Sequence, residues 1–219
     1  FIMDRFGYCK LLDRNSFERN QETVMSEHPY VLRCMSTDKI CLFTDAGNLH
    51  QVKVADIPMG KLREKGTPID NLSKFDGAKE QILYLTSLDQ MMGKRLIFAT
   101  KMALLKVVCA EEFITNNRTV ASTKFQDEDR LVTVRLASEG DVVLQTIKGY
   151  FLRFPLTEIS EMKKNSKGVR GMKLEVEDEL EHLYLVNEDP VISYKKKEIQ
   201  LNRLKTAKRD GKGTKVRLS

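Results

Sequence analysis

The feature that most constrains the fold of this chain is a pattern that occurs five times along its 219 residues. Each copy has an apolar strand-forming segment, a short polar turn and a second strand-forming segment that carries a cation. The copies are FIMDRFGYCKLL at 1–12, ICLFTDAGNLHQVKV at 40–54, LIFATKMALLKVV at 96–108, VVLQTIKGYFLRF at 142–154 and VISYKKKEIQLNRL at 191–204. Aligning the turns makes Gly7, Gly47, Ala103, Gly149 and Lys197 equivalent, with spacings of 40 to 56 residues. Such a period is typical of propeller blades.

The residues around each turn predict β-hairpins. In TDAGN and TIKGY the glycine supplies the positive φ of a tight hairpin turn, and the flanking Ile, Val, Leu, Phe and Thr favour strands. Further strands are predicted at 30–35, 81–88, 130–137 and 182–187. No long amphipathic helix is evident. The sequence therefore predicts an all-β fold.

Charge is distributed unevenly along the chain, although the net charge is only +6. Residues 1–145 sum to zero, residues 146–173 carry +5, residues 174–190 carry −7 and residues 191–219 carry +8. Segregated charge creates a local potential that a polyanion can sense. We therefore expect a polyanionic partner. The alternative is that the acidic and basic blocks neutralise each other across the fold.

Three repeats contain a glycine-rich basic loop that leads into a strand. The loops are GKLREKGTP at Gly60–Pro68, KKNSKGVRGMKL at Lys163–Leu174 and KTAKRDGKGTKVRL at Lys205–Leu218. Glycine lets a backbone approach a ligand closely, and lysine and arginine neutralise phosphates with release of counterions. The third repeat has only TNNRTVAS, with Arg118 alone, and the first has RNQETVMSEHP, without glycine. The loops predict a phosphate-bearing partner, and a solvated turn is the alternative for any one of them.

The aromatic residues favour a duplex over a single-stranded nucleic acid. The chain has no Trp, and its six Tyr and ten Phe fall mostly in strand patterns that predict core positions. Single-strand binders instead expose aromatic platforms on which bases stack. Contacts to the backbone of double-stranded DNA, with little reading of bases, fit this pattern better.

The sequence offers no convincing catalytic or metal-binding set. The four Cys form no C-x-x-C pair and the three His lie far from them, so we predict reduced thiols rather than a zinc site, and no cofactor. The acidic triplets at 127–129 and 177–179 are predicted to be turns between strands rather than metal ligands. No apolar run approaches the roughly 18 residues of a spanning helix, so no membrane partner is expected.

These features together resemble a known family. The repeated strand–turn–strand units, above all CLFTDAGNLHQVKVADIP and VVLQTIKGYFLRF, and the following SKGVRGMKL are similar to the C-terminal domain of the A subunit of bacterial type IIA topoisomerases, the DNA gyrase and topoisomerase IV family. The resemblance covers essentially all 219 residues. It implies one DNA-binding domain over 1–219, and we expect this domain to be a fragment of a longer chain.

The resemblance implies a β-pinwheel, a propeller-like disc of about five four-stranded blades that exchange strands with their neighbours. It also implies that duplex DNA binds and bends around a basic outer rim. Strand cleavage in the family uses a tyrosine in a separate domain, so this fragment is not expected to be an enzyme, although its parent would be part of an ATP-dependent topoisomerase. The implied partners are double-stranded DNA, the ATPase B subunit and the rest of the A subunit, in the bacterial cytoplasm at the nucleoid.

The candidate phosphate contacts are cations of the loops and of the strands near them. They are Arg63, Lys65, Arg118, Lys148, Arg153, Lys163, Lys164, Lys167, Arg170, Lys173, Arg203, Lys205, Lys208, Arg209, Lys212 and Lys215. The competing hypothesis is a protein-interaction propeller whose basic edge meets an acidic partner. An enzyme built on a propeller is a third hypothesis, which lacks a catalytic set in the sequence.

One segment departs from the gyrase pattern. The A subunits of gyrases carry a glycine-rich basic box, close to QRRGGKG, after the first hairpin. Here the corresponding segment is FERNQETVMSEHP at 17–29, with Arg19 but no glycine and with Glu22 and Glu27. The resemblance is therefore closer to the topoisomerase IV A subunit, and a gyrase A subunit with a degenerate box is the alternative.

Overall fold

The computed structural model describes residues 1–216, and most of its regular structure is β. The strands within these residues are β1 (Ile2–Met3), β2 (Tyr8–Lys10), β3 (Tyr30–Val31), β4 (Lys39–Thr44), β5 (Asn48–Lys53), β6 (Thr67–Pro68), β7 (Ile82–Ser87), β8 (Arg95–Thr100), β9 (Leu104–Cys109), β10 (Thr119–Ala121), β11 (Leu131–Leu136), β12 (Asp141–Thr146), β13 (Tyr150–Pro155), β14 (Val169–Arg170), β15 (Leu180–Leu185), β16 (Val191–Tyr194), β17 (Lys197–Gln200) and β18 (Thr214–Lys215). The helices are short: α1 (Arg14–Arg19), α2 (Gln21–Glu27), α3 (Ile69–Leu72) and α4 (Leu88–Met91). The predicted all-β class is confirmed.

The strands form four-stranded antiparallel sheets, which we call blades 1 to 4. Their strand orders are β3-β1-β2-β6, β10-β5-β4-β7, β11-β8-β9-β14 and β15-β12-β13-β18. In each blade the central hairpin and one edge strand come from the same repeat. The other edge strand, β6, β10, β14 or β18, comes from the repeat that follows. The predicted exchange of strands between neighbouring repeats is confirmed.

Within residues 1–216 the fifth repeat forms a hairpin in place of a four-stranded blade. Strands β16 and β17 pair with each other through Val191↔Gln200 to Tyr194↔Lys197 and form a two-stranded sheet within residues 1–216. The predicted four strands per blade are thus present in the first four blades. The fifth repeat also provides β18, which completes blade 4.

The hairpin turns need a left-handed residue, and the sequence provides it in different ways. Gly7, Gly47 and Gly149 have φ of +83°, +77° and +84°. Ala103 takes the same conformation, with φ +59°, although it carries a Cβ. In the fifth hairpin the positive values fall on Lys195 and Lys196, and Lys197 begins β17, so our alignment of Lys197 with the turn glycines was wrong.

The chain divides into two compact lobes. The first lobe consists of Phe1–Met92 with Ile114–Val120, and the second consists of Gly93–Phe113 with the chain from Ala121 onward. The first has a core of blade 1 and 2 residues that includes Met3, Cys9, Ile40, Leu42, Val52, Ile69 and Leu85. The second has a core that includes Ile97, Leu105, Val107, Leu144, Phe154 and Leu183. The central strands β4, β5, β8, β9 and β12 each have four or five consecutive buried residues, so both faces of these sheets are covered.

Helices α1 and α2 occupy the part of the first repeat that lacks glycine. Asp13 caps α1, because its side chain accepts a hydrogen bond from the Ser16 N–H at 2.9 Å. Arg14 pairs with Glu18 at 2.7 Å along α1, and Val24 of α2 is fully buried. We did not predict these helices, although the Asp13 capping position is readable in the sequence.

The two acidic triplets are turns, as predicted. Asp127 and Glu177 have positive φ. Asp129 accepts hydrogen bonds from the backbone of Met102 and Arg130, and Asp178 accepts them from Lys148 and Glu179. Each aspartate therefore braces the turn of the neighbouring hairpin.

Candidate nucleic-acid interface

Three basic loops precede the strands that are donated to the preceding blade. We call Gly60–Pro68 loop A, Lys163–Leu174 loop B and Lys205–Val216 loop C; Arg217 and Leu218, which we predicted to belong to loop C, lie outside the described residues. Loop A leads into β6 in the first lobe, and loops B and C lead into β14 and β18 in the second. The loops therefore lie where one repeat joins the blade of another.

Each loop has a glycine where its backbone passes close to a hairpin strand. A Cβ on Gly66 would lie 2.5 Å from the carbonyl oxygen of Cys9. A Cβ on Gly168 would lie 2.6 Å from the oxygen of Leu105, and one on Gly213 would lie 2.6 Å from the oxygen of Phe151. All three glycines have positive φ. The contact that requires glycine is therefore with the chain's own backbone, and this replaces our expectation of close approach to a ligand.

Loops B and C are joined edge to edge in the second lobe. Met172 and Gly211 form a parallel bridge. The Lys173 N–H donates to the Gly211 oxygen at 2.9 Å, and the Asp210 N–H donates to the Gly171 oxygen at 2.8 Å. These hydrogen bonds join the backbones of the two loops at Gly171–Lys173 and Asp210–Gly211, so the cations of both loops are carried on adjoining segments.

Side chains strengthen this junction. The Arg170 guanidinium donates to both carboxylate oxygens of Asp210, one of them at 2.9 Å. Arg209 donates to the Arg170 carbonyl at 2.6 Å and to the backbone oxygen of Glu158 at 3.1 Å. The ion pair raises the pKa of Arg170 and lowers the pKa of Asp210.

Several predicted cations already have acidic partners. Lys163 lies 2.9 Å from a carboxylate oxygen of Glu112, and Lys212 lies 3.7 Å from Glu175. The Glu112 carboxylate also accepts the Lys164 N–H, and the Lys164 ammonium donates to the Glu112 carbonyl. The hydrogen bond from Lys163 is the main cause that lowers the pKa of Glu112. The Lys163 side chain is nevertheless 83% exposed and remains accessible to a phosphate.

A second group of candidates is exposed without such partners. Within residues 1–216 no hydrogen bond or ion pair engages the side chains of Arg63, Lys167, Lys173, Arg203, Lys205 and Lys208. Most of them belong to the three loops. They are the cations best placed to receive phosphates, because binding would break no existing pair.

Other candidates are tied to backbone oxygens. The half-buried Arg153 donates to Asp141 at 2.7 Å and to the carbonyls of Asn202 and Leu204. Lys148 donates to the Val176 carbonyl at 2.5 Å, and Arg118 donates to the Leu72 carbonyl at 2.8 Å. These three side chains hold segments of the fold together.

Two tyrosines stand beside loop cations. The Lys65 ammonium lies 4.1 Å from the ring centre of Tyr8, and the Lys215 ammonium lies 5.1 Å from that of Tyr150. Both tyrosines directly follow the turn glycine of their hairpins, Gly7 and Gly149. This shared position was readable in the sequence, but we assigned the tyrosines to the core. Each ring orients a lysine of a neighbouring loop by a cation–π contact.

Comparisons of the sequence with known proteins find a matching family model and similar curated proteins. A family model described as "DNA gyrase C-terminal domain, beta-propeller" matches residues 140–187. The DNA gyrase A subunit of Lawsonia intracellularis is 29% identical over 154 residues, which cover 68% of this chain and 19% of that protein. Its counterpart in Chlamydia muridarum is 29% identical over 153 residues, covering 68% of this chain and 18% of its own length. The chain thus spans about a fifth of these curated relatives.

Solved structures share the fold over nearly the whole chain. The crystal structure of the C-terminal domain of DNA topoisomerase IV matches with a TM-score of 0.86 and 21% identity, covering 97% of this chain and 70% of that one. The E. coli ParC C-terminal domain matches with a TM-score of 0.75 and 15% identity, covering 99% and 93%. The DNA gyrase A C-terminal domain matches with a TM-score of 0.63 and 16% identity, covering 97% and 75%.

The chain is thus similar in part of its sequence to DNA gyrase A subunits, and in fold to the C-terminal domains of gyrase A and topoisomerase IV. Helices α1 and α2 cover most of 17–29, the segment that corresponds in position to the gyrase box. No helix within residues 1–216 is long and apolar enough to span a membrane. Among the same residues, no group of three or more His, Cys, Asp or Glu is placed to hold a metal ion.

Proposed function

We propose that this domain binds and bends duplex DNA through its basic loops. The domain would extend over residues 1–219 as a fragment of a longer chain, with no cofactor and no catalytic residue of its own. Loops B and C would form the main contact surface, and loop A would form a further contact in the first lobe. The predicted cations would neutralise phosphates, and those without acidic partners would contribute most.

The observation that carries the proposal is the junction of loops B and C. The backbone bridge between Met172 and Gly211 holds the two loops side by side instead of leaving each as an independent turn. Lys167, Lys173, Lys205 and Lys208 are exposed on these loops. A rigid array of cations loses less conformational entropy on binding a phosphate backbone than separate flexible loops do.

The parent protein would be part of an ATP-dependent type IIA topoisomerase. Within it, this domain would capture a DNA segment and present it to a separate cleavage core of the same polypeptide. The ATPase B subunit would be the further partner. The location would be the bacterial cytoplasm, at the nucleoid. These proposals rest on the similarity of the chain to gyrase A subunits and on the fold it shares with the C-terminal domain of topoisomerase IV.

We further propose that the parent is of the topoisomerase IV type. The segment at 17–29 has no glycine-rich basic sequence, and it contains parts of α1 and α2 with an exposed Glu22 and Glu27. A domain without the box should bind DNA without imposing a strong positive writhe. Ligation of nicked circles in its presence should therefore give no large stoichiometric change in linking number. A large change would assign the domain to gyrase.

Binding itself is tested with a linear duplex by fluorescence anisotropy across a series of salt concentrations. Each phosphate contact should add about 0.9 to the slope of log affinity against log salt. The double variant Lys167→Glu and Lys173→Glu should therefore lower the slope by about two. Absence of detectable wild-type binding at low salt would contradict the proposed function and would favour the protein-interaction hypothesis.

A matched control carries the same change of charge outside the loops. Lys53 and Lys94 are exposed and lie at the ends of the strand regions β5 and β8. The double variant Lys53→Glu and Lys94→Glu should keep the wild-type slope. Equal losses in the two double variants would show that net charge, rather than the loop surface, determines the affinity.

A further inference from the structure

Two buried lysines lie beneath basic loops in equivalent positions of two blades. Lys10 is the third residue after the left-handed turn residue Gly7, and Lys106 is the third after Ala103. Their relative exposures are 4% and 1%. A lysine this buried is rare unless its ammonium is fully paired. Neither residue was among our predicted DNA contacts, and neither can reach a phosphate.

The ammonium of each lysine is paired with carbonyl groups. Lys106 Nζ donates to the oxygens of Ser122, Lys164 and Ser166, at 3.3, 2.5 and 3.0 Å. Two of these oxygens belong to loop B. An ammonium has three donors, so all of them are used.

Lys10 makes the same arrangement under loop A. Its Nζ donates to the oxygens of Lys61 and Leu62 at 2.8 Å each, and to the oxygen of Glu64. All three oxygens belong to loop A. The two lysines lie in different lobes, each beneath a different loop. The same arrangement of an ammonium and three carbonyl oxygens therefore occurs twice.

Within residues 1–216, the Lys106 ammonium donates to carbonyl oxygens and not to a carboxylate. Burial lowers its pKa, and the one carboxylate that opposes this effect is Glu112. Glu112 is itself bound by the Lys163 ammonium and the Lys164 N–H of loop B. The Phe98 ring, whose centre lies 5.1 Å from Nζ, completes the surroundings. The direct partners of the ammonium are therefore loop carbonyls.

The other two blades lack the lysine. The equivalent residues are His50, the third after Gly47, and Leu152, the third after Gly149. The ring nitrogens of His50 form hydrogen bonds with Glu80 and Thr119. Leu152 packs beneath Gly211 of loop C, which is held by its junction with loop B. A lysine at this position therefore occurs in blades 1 and 3, beneath loops A and B. A four-stranded blade also forms without it.

We propose that Lys10 and Lys106 are positioning residues that shape loops A and B for binding phosphates. By drawing carbonyl oxygens inward, each ammonium removes their partial negative charge from the outer surface of the loop. It also fixes the backbone from which outward cations such as Lys163 and Lys167 project. The inference rests on the proposed function, because it assigns these lysines to the same interface.

The variant Lys106→Met tests it, since methionine keeps the apolar stem and removes the ammonium. We expect the slope of log affinity against log salt to fall by more than one, because several loop B cations lose their placement together. Lys167→Met, which removes a single exposed cation, should lower the slope by about one. Lys94→Met, an exposed lysine outside the loops, should leave it unchanged. Hydrogen exchange of loop B amides should become at least about tenfold faster in Lys106→Met only.

A purely structural role predicts a different result. Partial unfolding would lower the fraction of active protein but would leave the slope of the remaining protein at its wild-type value. That outcome, or unchanged exchange in loop B, would overturn the inference while wild-type binding still supports the proposed function. Absence of wild-type binding would instead contradict the proposed function. If Lys106→Met does not fold, Lys10→Met with Lys65→Met as its single-cation counterpart applies the same criteria to loop A.

Discussion

Loops A and B are held to their hairpins in the same way but differ in their contacts with other loops. Both have a left-handed glycine against a hairpin carbonyl, and both cover a buried lysine. Only loop B is then bonded to another basic loop, through Met172, Gly211 and the Arg170–Asp210 pair. In loops A and B the donated strand therefore accounts for the glycine, and the buried lysine holds the loop from beneath, whereas in loop B the adjoining loop also determines how the outer cations are arranged.

The largest expected effect is on the free energy of unfolding, and it should come from substituting the loop glycines. Gly168→Ala forces a Cβ against the Leu105 carbonyl at φ +95°, and should lower the free energy of unfolding by about 3 kcal/mol or more. Gly66→Ala should do the same in loop A. Gly93→Ala is the control, because Gly93 has φ +71° but nothing within 4 Å, and should cost only about 1 kcal/mol. Urea unfolding measures the stability of all three variants. Equal losses of stability would show that the close approach of the loop backbone to a hairpin carbonyl is not the reason for the loop glycines.

The hairpins could be predicted from the sequence, whereas the structural reason for the loop glycines could not. The repeat predicted the hairpins and their spacing, because turn glycines and β-branched residues are local signals. The exchange of strands was implied only by the resemblance to a known family. The role of Gly168 could not be read in the same way. Its contact is with Leu105, 63 residues earlier in the chain, and only the donated strand brings the two together. Glycine next to lysine looks the same in a sequence whether the neighbouring oxygen belongs to a phosphate or to the chain.

The buried lysines show the same limit. Lys10 and Lys106 are cations in strand patterns, where an exposed side chain is the usual expectation. Their partners in loops A and B lie about 50 to 60 residues further along the chain. The basic loops themselves were predictable from composition. Which of their cations are paired with Glu112, Asp210 or Glu175 depends on tertiary contacts alone.

The buried lysines beneath the two loops should make the free energy of unfolding depend on pH. Burial lowers the pKa of Lys106 to about 8. The pKa of Lys10 is lowered in the same direction, and there Glu64 opposes the effect of burial. Between pH 8 and about 10.5 the unfolded chain holds a proton on Lys106 that the folded chain has released. The free energy of unfolding should therefore rise with pH in this window, by as much as about 3 kcal/mol.

The contribution of Lys106 is isolated by comparison with Lys106→Met. Urea unfolding of both proteins at pH 7, 8, 9 and 10 should show the wild type gaining stability relative to the variant as the pH rises. Thiols such as Cys9, whose pKa burial raises to about 11, act in both proteins and cancel in the difference. Parallel pH profiles would contradict the assignment of a lowered pKa to Lys106. Lys10→Met measures the corresponding change under loop A.

The smallest effect should come from the contact that only loop B has. Asp210 holds Arg170 and competes with phosphates for its guanidinium. Asp210→Asn removes this charge, and asparagine accepts the left-handed φ of +69° at this position. DNA affinity in about 0.1 M salt should rise about threefold, as expected for an exposed ion pair. Asp76→Asn, which removes the carboxylate paired with the exposed Lys79 in the first lobe, should change affinity by less than about 1.5-fold. A loss of affinity in Asp210→Asn would mean that the carboxylate orients Arg170 toward phosphate, and loop B would then depend on loop C for its geometry as well as its position.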